Sequence, residues 1–142
     1  DLSRTGFYDP PEFWEPIKRP SRDAYIVEAN RFYILLSKER IRVPPEFAAE
    51  MVVYDAGAGE IRTHYAGFFD PGFGWGDGSI LGTKVVMEVR AREVPFMVYD
   101  GQTSFKVWFE RLRSRPERVY GSDLGSSYQR QTLTLSKHFR RL

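Results

Sequence analysis

The feature that most constrains the fold is a strand-like segment at residues 64–73 that runs into an Asp-Pro-Gly turn. In this turn Pro71 fixes φ and Gly72 accepts a positive φ, so an extended strand cannot continue through it. Just before the turn, Ala66 and Gly67 carry almost no side-chain bulk, so another group can approach their backbone closely. That group is either a ligand or a neighbouring strand. We therefore expect a fold assembled from short strands and tight turns.

Most of the remaining sequence alternates strand-like runs with Gly, Pro and Asp turns. Runs rich in β-branched and aromatic residues predict strands, at residues 24–27, 32–36, 51–54, 83–90, 96–99 and 103–109. The Asp-Gly pair at 100–101 predicts that the last two runs form a hairpin. The segment 44–50 is the only good candidate for a short helix, because proline lies in its first turn. The pattern predicts an all-β fold, an antiparallel barrel or jelly roll with one short helix.

The first twenty residues form an N-terminal arm that contains four of the nine prolines and several aromatic residues. Such a segment cannot form a long helix. We expect its aromatic side chains to dock on the domain surface, or on a preceding domain, rather than to bind a ligand. A chain of 142 residues is long enough for one domain with its own core. The expected organisation is an arm at 1–20 and a β domain at 21–142 that ends in a C-terminal tail.

Composition excludes several classes of function. The formal net charge is only +2, which gives no strong electrostatic case for binding nucleic acid. There is no run of apolar residues long enough to cross a membrane and no visible signal peptide, so a soluble cytoplasmic protein is the default expectation. The chain begins with Asp1 rather than Met, which we interpret as a piece of a longer polypeptide or a trimmed form.

The chemistry of two well-known kinds of site does not fit this sequence. Zinc-dependent base deaminases use His and Cys ligands that include a P-C-x-x-C element. This chain has no cysteine and only two histidines, His64 and His138, so we expect no zinc. The segment 78–84 resembles a phosphate-binding loop only superficially. Its order is G-T-K rather than G-K-[ST], and a strand rather than a helix is predicted to follow.

Three sequence segments together carry a family resemblance. They are AGFFDPGFG at 66–74, MEVR at 87–90, and the tail YGSDLGSSYQRQTLTLSKHFR at 120–140. In the dCTP deaminase and dUTPase superfamily, a small-residue strand and a D-P-G turn precede a strand that bears a glutamate. The deaminase branch adds a tyrosine and then Y-x-x-Q near its C-terminus. The similarity covers about residues 33–140. In its detailed amino-acid sequence the chain resembles the second half of the long, duplicated form of dCTP deaminase.

Glu88 is the candidate catalytic residue. Period-two alternation in the strand 83–90 places Glu88 on one face with Lys84 and Arg90. From the pattern alone, Glu88 is a surface glutamate paired with one of these cations. The resemblance implies instead a general acid–base, which takes a proton from water and delivers it to the pyrimidine ring and the leaving ammonia. Deamination would then need no metal on the protein.

The resemblance also implies how a dCTP- or dUTP-type nucleotide binds. Main-chain groups of Ala66 and Gly67 would bond the edge of the base, and Asp70 would lie near the sugar and the reacting base. From the residues alone, Asp70 can also cap its own turn through its side chain.

In the tail, the resemblance implies that Tyr120 stacks on the deoxyribose and that Gln131 binds phosphate. Tyr128 begins the Y-x-x-Q. Ser127 lies where shorter members carry a phosphate-binding lysine, so one positive charge is absent there.

One element of the family pattern is absent. Shorter deaminases carry an R-S-S-x-x-R-like segment before the D-P-G strand, and its serines and arginines hold phosphates and position the attacking water. The corresponding region here, 47–63, has no such pattern. We therefore expect an incomplete site, completed by a sister half or a neighbouring subunit in a trimer or pseudo-trimer. Mg²⁺ is expected to enter bound to the triphosphate. A dUTP pyrophosphatase and a non-catalytic structural or nucleotide-binding half remain open as alternatives.

Overall fold

The computed structural model describes residues 1–18, 23–53, 61–64, 67–76, 81–121, 124, 126, 128–133 and 135–141. Within these residues the chain forms one 3₁₀ turn, Pro10–Glu12, and eight strands. The strands are β1 (Ala24–Val27), β2 (Phe32–Ile41), β3 (Phe47–Val53), β4 (Ile61–His64), β5 (Phe68–Phe69), β6 (Thr83–Ala91), β7 (Phe96–Tyr99) and β8 (Phe105–Arg111).

The strands form three small sheets in which every pairing is antiparallel. One sheet pairs β1 with β7, a second has the order β2-β6-β4, and a third has the order β5-β3-β8. Strand β6 is central to the second sheet, paired along its length with β2 and at its C-terminal half with β4. The prediction of an all-β antiparallel fold is confirmed.

The core depends on the alternation that the sequence shows in β6. Every second side chain of this strand is buried: Thr83, Val85, Met87, Val89 and Ala91. The apolar members of this set pack with apolar residues from the other sheets and from the turns, including Val27, Val43, Ala49, Phe69 and Phe73. Burying these side chains supplies the main favourable term of folding. The opposite face of β6 is left half-buried or exposed, and Glu88 lies on it.

The predicted helix at 44–50 is wrong. Phe47 donates its N–H to the carbonyl of Pro44, which closes a turn, and β3 then begins at Phe47. This strand lies between β5 and β8, so its backbone groups have partners on both sides. Sheet pairing outweighs the helix propensity of Ala48 and Ala49, both of which are buried. The short helix of the structure is instead the 3₁₀ turn in the arm, which has proline in its first positions.

The predicted hairpin at 100–101 is also wrong, although the turn exists. Gln102 donates its N–H to the carbonyl of Tyr99 at 3.1 Å, and Gly101 has a φ of 81°. A type I′ hairpin turn needs a positive φ at both central residues, and Asp100 does not have one. The turn therefore does not pair the strands that flank it. It takes the chain from β7, which pairs with β1, to β8, which pairs with β3.

The N-terminal arm docks on the end of the tail. The rings of Tyr8, Phe13 and Trp14 lie 5.6–6.3 Å from that of Phe139, and Trp14 also approaches Phe32 of β2. Main-chain hydrogen bonds accompany these contacts, for example from Arg140 N–H to Tyr8 carbonyl at 2.9 Å. The aromatic residues thus pack on the surface of the same chain. Among the described residues, no helix is long and apolar enough to span a membrane.

Candidate active site

The Asp-Pro-Gly turn follows directly from β5 and is closed by main-chain hydrogen bonds. Phe73 N–H donates to Asp70 carbonyl, and Trp75 N–H donates to Gly72 carbonyl, both at 3.0 Å. The Asp70 side chain is exposed, and it makes no capping bond within the described part of the chain. Because the backbone closes the turn, the carboxylate stays available to accept hydrogen bonds from a ligand.

Gly72 is the point at which the tail meets this turn. Its φ is 99°, and a Cβ there would lie 2.2 Å from Val119 Cγ1 and 2.6 Å from Tyr120 carbonyl oxygen. Tyr120 N–H also donates to Pro71 carbonyl at 2.9 Å. Both the backbone conformation and the space therefore require glycine. The contact brings the start of the tail next to Asp70.

Close packing of a neighbouring strand explains why residue 67 is a glycine. A Cβ at Gly67 would lie 2.3 Å from the Cβ of Met51, and Met51 donates its N–H to Gly67 carbonyl at 2.6 Å. The neighbouring strand is thus the group that approaches this backbone. A role for Gly67 in bonding a base stays a prediction, and Ala66 lies outside the described residues.

Tyr120 joins the turn to the rest of the tail. Its ring lies 5.9 Å from that of Phe73, and its hydroxyl accepts a hydrogen bond from Tyr128 N–H at 3.2 Å. Burial raises the pKa of Tyr120 above its usual value, and the nearby negative charge of Asp70 raises it further, while hydrogen bonds from Tyr128 and Ser126 oppose the shift. The phenol is therefore neutral at physiological pH. The ring of Tyr128 is exposed.

Gln131 contacts the start of β6. Its Nε2 donates to the carbonyl of Lys84 at 2.9 Å, and the N–H of Arg130 donates to Thr83 Oγ1 at 3.2 Å. An amide nitrogen carries two hydrogens, so one remains for a ligand when the other bonds Lys84. The tail is thereby fixed at the N-terminal end of β6.

Glu88 lies further along β6, paired with Ile34 of β2 and His64 of β4. Its side chain is half-buried. Among the described residues it forms no ion pair with Lys84 or Arg90, and the Arg90 guanidinium lies instead over the ring of Phe32, at 5.8 Å. The interpretation of Glu88 as one member of a surface ion pair is therefore wrong. A half-buried carboxylate without a cation beside it is a candidate for proton transfer.

The structure brings some of the predicted site residues together and leaves others apart. Asp70, Tyr120 and Tyr128 form one group at the turn, and Gln131 is held close to it through the tail. Glu88 is four residues from Lys84, which is about 13 Å along an extended strand. Within one copy of the chain, the tail thus contacts the N-terminal end of β6, whereas Glu88 lies in the C-terminal half of that strand.

Gln129 is a residue that the sequence analysis did not single out. Its side-chain amide bonds three main-chain groups of the turn region: Gly72, Gly74 and Trp75. The signal that could have drawn attention to it is its place inside the Y-x-x-Q, between Tyr128 and Gln131.

The structure also has a cavity, which lies apart from the turn and the tail. This cavity, of about 750 Å³, opens between β1, β2, β6, β7 and β8, lined by Tyr25, Leu35, Val98 and Val107 among others. Of the residues that bond the tail, Lys84 lines it. Among the described residues, no three His, Cys, Asp or Glu side chains lie close enough together to hold a metal ion.

Comparison with known proteins gives one consistent result. The model of the 2'-deoxycytidine 5'-triphosphate deaminase C-terminal domain matches residues 1–139. A dUMP-forming dCTP deaminase of Beutenbergia cavernae is 30% identical over 126 residues, which are 87% of this chain and 62% of that protein. A dCTP deaminase of Natronomonas pharaonis is 30% identical over 113 residues, which are 78% of this chain and 54% of that protein.

A solved structure agrees with these matches. The crystal structure of 2'-deoxycytidine 5'-triphosphate deaminase from Agrobacterium tumefaciens superposes with a TM-score of 0.68 and 45% identity, covering 73% of this chain and 32% of that one. The chain thus spans between 32% and 62% of the length of these three proteins. By sequence and by fold, it belongs to the dCTP deaminase family and corresponds to that family's C-terminal domain.

Proposed function

We propose that this chain takes part in the zinc-independent deamination of dCTP to dUTP, with Glu88 as the general acid–base. The observation that carries the proposal is the half-buried Glu88 carboxylate, which has no ion-pair partner among the described residues and lies on the central strand of a dCTP deaminase-family domain. A carboxylate in this state can accept a proton and return it within one catalytic cycle.

The reaction follows from that role. The Glu88 carboxylate takes a proton from water while the water oxygen bonds to C4 of the cytosine ring. The resulting carboxylic acid donates that proton to N3 of the ring. The carboxylate then takes the remaining proton from the new hydroxyl at C4 and delivers it to the amino group, so ammonia leaves, a carbonyl remains at C4 and the carboxylate is regenerated. General acid–base catalysis of this kind contributes roughly 10²–10⁴ in rate.

The turn and the tail supply the groups that hold the nucleotide. The exposed Asp70 carboxylate accepts a hydrogen bond from the sugar hydroxyl, and the ring of Tyr120 stacks against the deoxyribose. The second Nε2 hydrogen of Gln131 donates to a phosphate oxygen. The exposed ring of Tyr128 covers the same side of the site. Mg²⁺ enters with the triphosphate as part of the substrate, since phosphate oxygens are the ligands it prefers.

The site is shared with a segment that residues 47–63 do not provide. The R-S-S-x-x-R-like pattern, whose serines and arginines would clamp phosphate and fix the water, is absent from that segment. Glu88 lies about 13 Å along β6 from the tail contact at Lys84. A sister half or a second subunit, in a trimer or pseudo-trimer, supplies the missing groups and closes the gap.

A second candidate product is dUMP. Three of the relatives, including that of Methanobrevibacter smithii, are named dUMP-forming dCTP deaminases. In that case the same site would also release pyrophosphate after deamination.

The test is to incubate the complete natural polypeptide with dCTP and with dUTP in separate reactions, after chelator treatment and return of Mg²⁺. Ammonia and dUTP from dCTP support the proposal. Ammonia together with pyrophosphate and dUMP supports the second candidate. Pyrophosphate from dUTP without ammonia from dCTP identifies a dUTP pyrophosphatase. Binding of dCTP without either product identifies a non-catalytic nucleotide-binding half.

A further inference from the structure

We propose that Gln129 is a positioning residue, whose side-chain amide holds the Asp-Pro-Gly turn in the shape that presents Asp70 and Tyr120 to the nucleotide. The inference rests on the proposed function and assigns a role to a residue that no part of that function uses. Gln129 acts through the main chain of the turn and does not itself touch substrate.

The side-chain amide of Gln129 bonds three main-chain groups of the turn region. Its Oε1 accepts a hydrogen bond from Gly74 N–H at 2.9 Å. Its Nε2 donates to the carbonyls of Trp75 at 2.9 Å and Gly72 at 3.3 Å. Both Nε2 hydrogens thus bond backbone carbonyls, and the Oε1 oxygen accepts from a backbone N–H.

These bonds reach backbone groups that the turn cannot satisfy by itself. The turn's own hydrogen bonds use Phe73 N–H and Trp75 N–H as donors. Gly74 N–H and Trp75 carbonyl remain, and Gly74 is buried. Leaving a buried N–H without a partner is unfavourable. Gln129 therefore completes the hydrogen bonding of the segment that follows Asp70.

The surroundings of Gln129 are shaped to keep its side chain in place. Gly121 has a φ of 90°, and a Cβ there would lie 2.6 Å from Gln129 Nε2. The next residue, Arg130, adopts a left-handed φ of 61°, which is uncommon for a residue with a side chain. This conformation accompanies the bonds by which Arg130 and Gln131 hold β6 while Gln129 holds the turn.

The consequence is a mechanical link between the two parts of the nucleotide site. One side of the turn is bonded to the loop between β2 and β3, where Gly72 N–H donates to the carbonyl of Val43 at 3.0 Å. The other side is fastened by Gln129. When this amide is lost, the end of the turn at Gly74 and Trp75 is released, and the spacing between Asp70 and the tail changes with it.

The experiment uses the complete natural polypeptide labelled with 5-fluorotryptophan and read by ¹⁹F NMR. Trp75 reports the turn directly, because its carbonyl bonds Gln129 and its ring lies 4.6 Å from the Arg42 guanidinium. Trp108, on the exposed face of β8, is the internal reference. A Trp75→Phe variant assigns the signal. The matched control is Gln102→Met, because Gln102 also accepts a main-chain hydrogen bond, from Tyr99, and has no bond to the Asp-Pro-Gly turn among the described residues.

Gln129→Met keeps the length of the side chain and removes its hydrogen bonds. We expect the Trp75 signal to shift or broaden while Trp108 stays, and kcat/KM for dCTP to fall about tenfold or more, mainly through KM, because proton transfer at Glu88 is untouched. Gln129→Glu is the conservative rescue. A protonated carboxyl can donate one hydrogen bond and accept another, which restores part of the amide's bonding, whereas a carboxylate faces two carbonyl oxygens, which raises its pKa. The kcat/KM of Gln129→Glu, expressed relative to wild type at the same pH, should increase as the pH is lowered from about 8 to about 5.

An unmoved Trp75 signal in Gln129→Met overturns the inference. So does a moved signal with kcat/KM within twofold of wild type, since the shape of the turn would then not matter to the substrate. A flat relative pH profile for Gln129→Glu overturns it as well, because a space-filling role does not titrate. If the wild-type polypeptide lacks activity toward dCTP, the proposed function fails, and the ¹⁹F signals still decide whether Gln129 holds the turn.

Discussion

The two ends of β6 differ in how their polar groups are used. At the N-terminal end, Thr83 Oγ1 and the carbonyl of Lys84 each bond the tail, and the nearby turn is closed by main-chain bonds and by Gln129. Further along the strand, Glu88 pairs through its backbone with Ile34 and His64, and among the described residues its carboxylate forms no ion pair.

This difference indicates a division of labour. The turn and the start of β6 are held by many hydrogen bonds, because a rigid frame positions a substrate without reorganisation. In the proposed function Glu88 moves protons, and it has no ion-pair partner among the described residues; a salt bridge would favour its charged state. Substitutions in the turn or at the start of β6 should lower stability and the affinity for dCTP, whereas substitution of Glu88 should lower turnover alone.

The largest effect concerns the absent phosphate-binding segment. The isolated chain of 142 residues has the turn, the tail and Glu88, but residues 47–63 lack the R-S-S-x-x-R-like pattern. Positioning and electrostatic stabilisation each contribute several kcal/mol to a typical barrier reduction. We expect the isolated chain to deaminate dCTP at least about 10³-fold more slowly than a polypeptide that contains the missing segment. Equal ammonia release by both would contradict the shared site.

The next largest effect is expected from Gly72→Ala. The added Cβ would meet Val119 at 2.2 Å, in a backbone conformation with φ of 99°. Steric overlap and strain together predict a loss of about 2–5 kcal/mol in the free energy of unfolding. Gly101→Ala is the control, because Gly101 has a φ of 81° with nothing within 4 Å of the new Cβ. Urea denaturation should show that Gly101→Ala loses only about 1 kcal/mol in the free energy of unfolding, from backbone strain alone.

Gly67→Ala separates strand packing from base binding. We expect a loss of about 1–3 kcal/mol in stability, because the new Cβ overlaps that of Met51. Met51→Gly removes the overlapping atom, so the double variant should recover part of that loss, and the double-mutant cycle measures the coupling. Additive losses in the cycle would contradict packing as the reason for glycine at this position.

The smallest effect is predicted for Tyr25→Phe. The Tyr25 hydroxyl is buried and has no hydrogen-bond partner among the described residues, so removing it should leave stability unchanged or raise it by about 1 kcal/mol at neutral pH. Burial, with a smaller contribution from Tyr33, raises the pKa of Tyr25 to about 12.

A tyrosine with a raised pKa in the folded state stabilises the fold below its ordinary value of about 10, and that contribution is lost as the pH rises through about 12. The stability of wild type should therefore fall relative to Tyr25→Phe between these two pH values. Parallel stability curves for the two proteins across that range would contradict the assignment.

Sequence reasoning was strongest where the local pattern and the tertiary structure agree. Alternation in 83–90 predicted both the strand and the buried face of β6, because one face of the strand packs against the core. It failed at 44–50 and at 100–101, where pairing with distant strands decided the outcome. Nothing in a local window shows that β3 lies between β5 and β8.

The site shows the same limit. The motif pointed to Asp70, Tyr120 and Gln131 because these residue types recur at fixed spacing in the family. Gln129 binds backbone groups that lie 54 to 57 residues away in sequence, and backbone groups leave no mark in the sequence. The pairing of Glu88 with neither Lys84 nor Arg90 was equally invisible, since periodicity places all three on one face without fixing side-chain contacts.

The most direct measurement of the central claim compares wild type with Glu88→Gln in the complete natural polypeptide, by dCTP binding and by single-turnover ammonia release. The substitution keeps the shape of the side chain and removes its ability to exchange protons. We predict that the rate of the chemical step falls by about 10² or more, while the Kd for dCTP and the melting temperature change little. Turnover close to wild type in this variant would remove Glu88 from the mechanism.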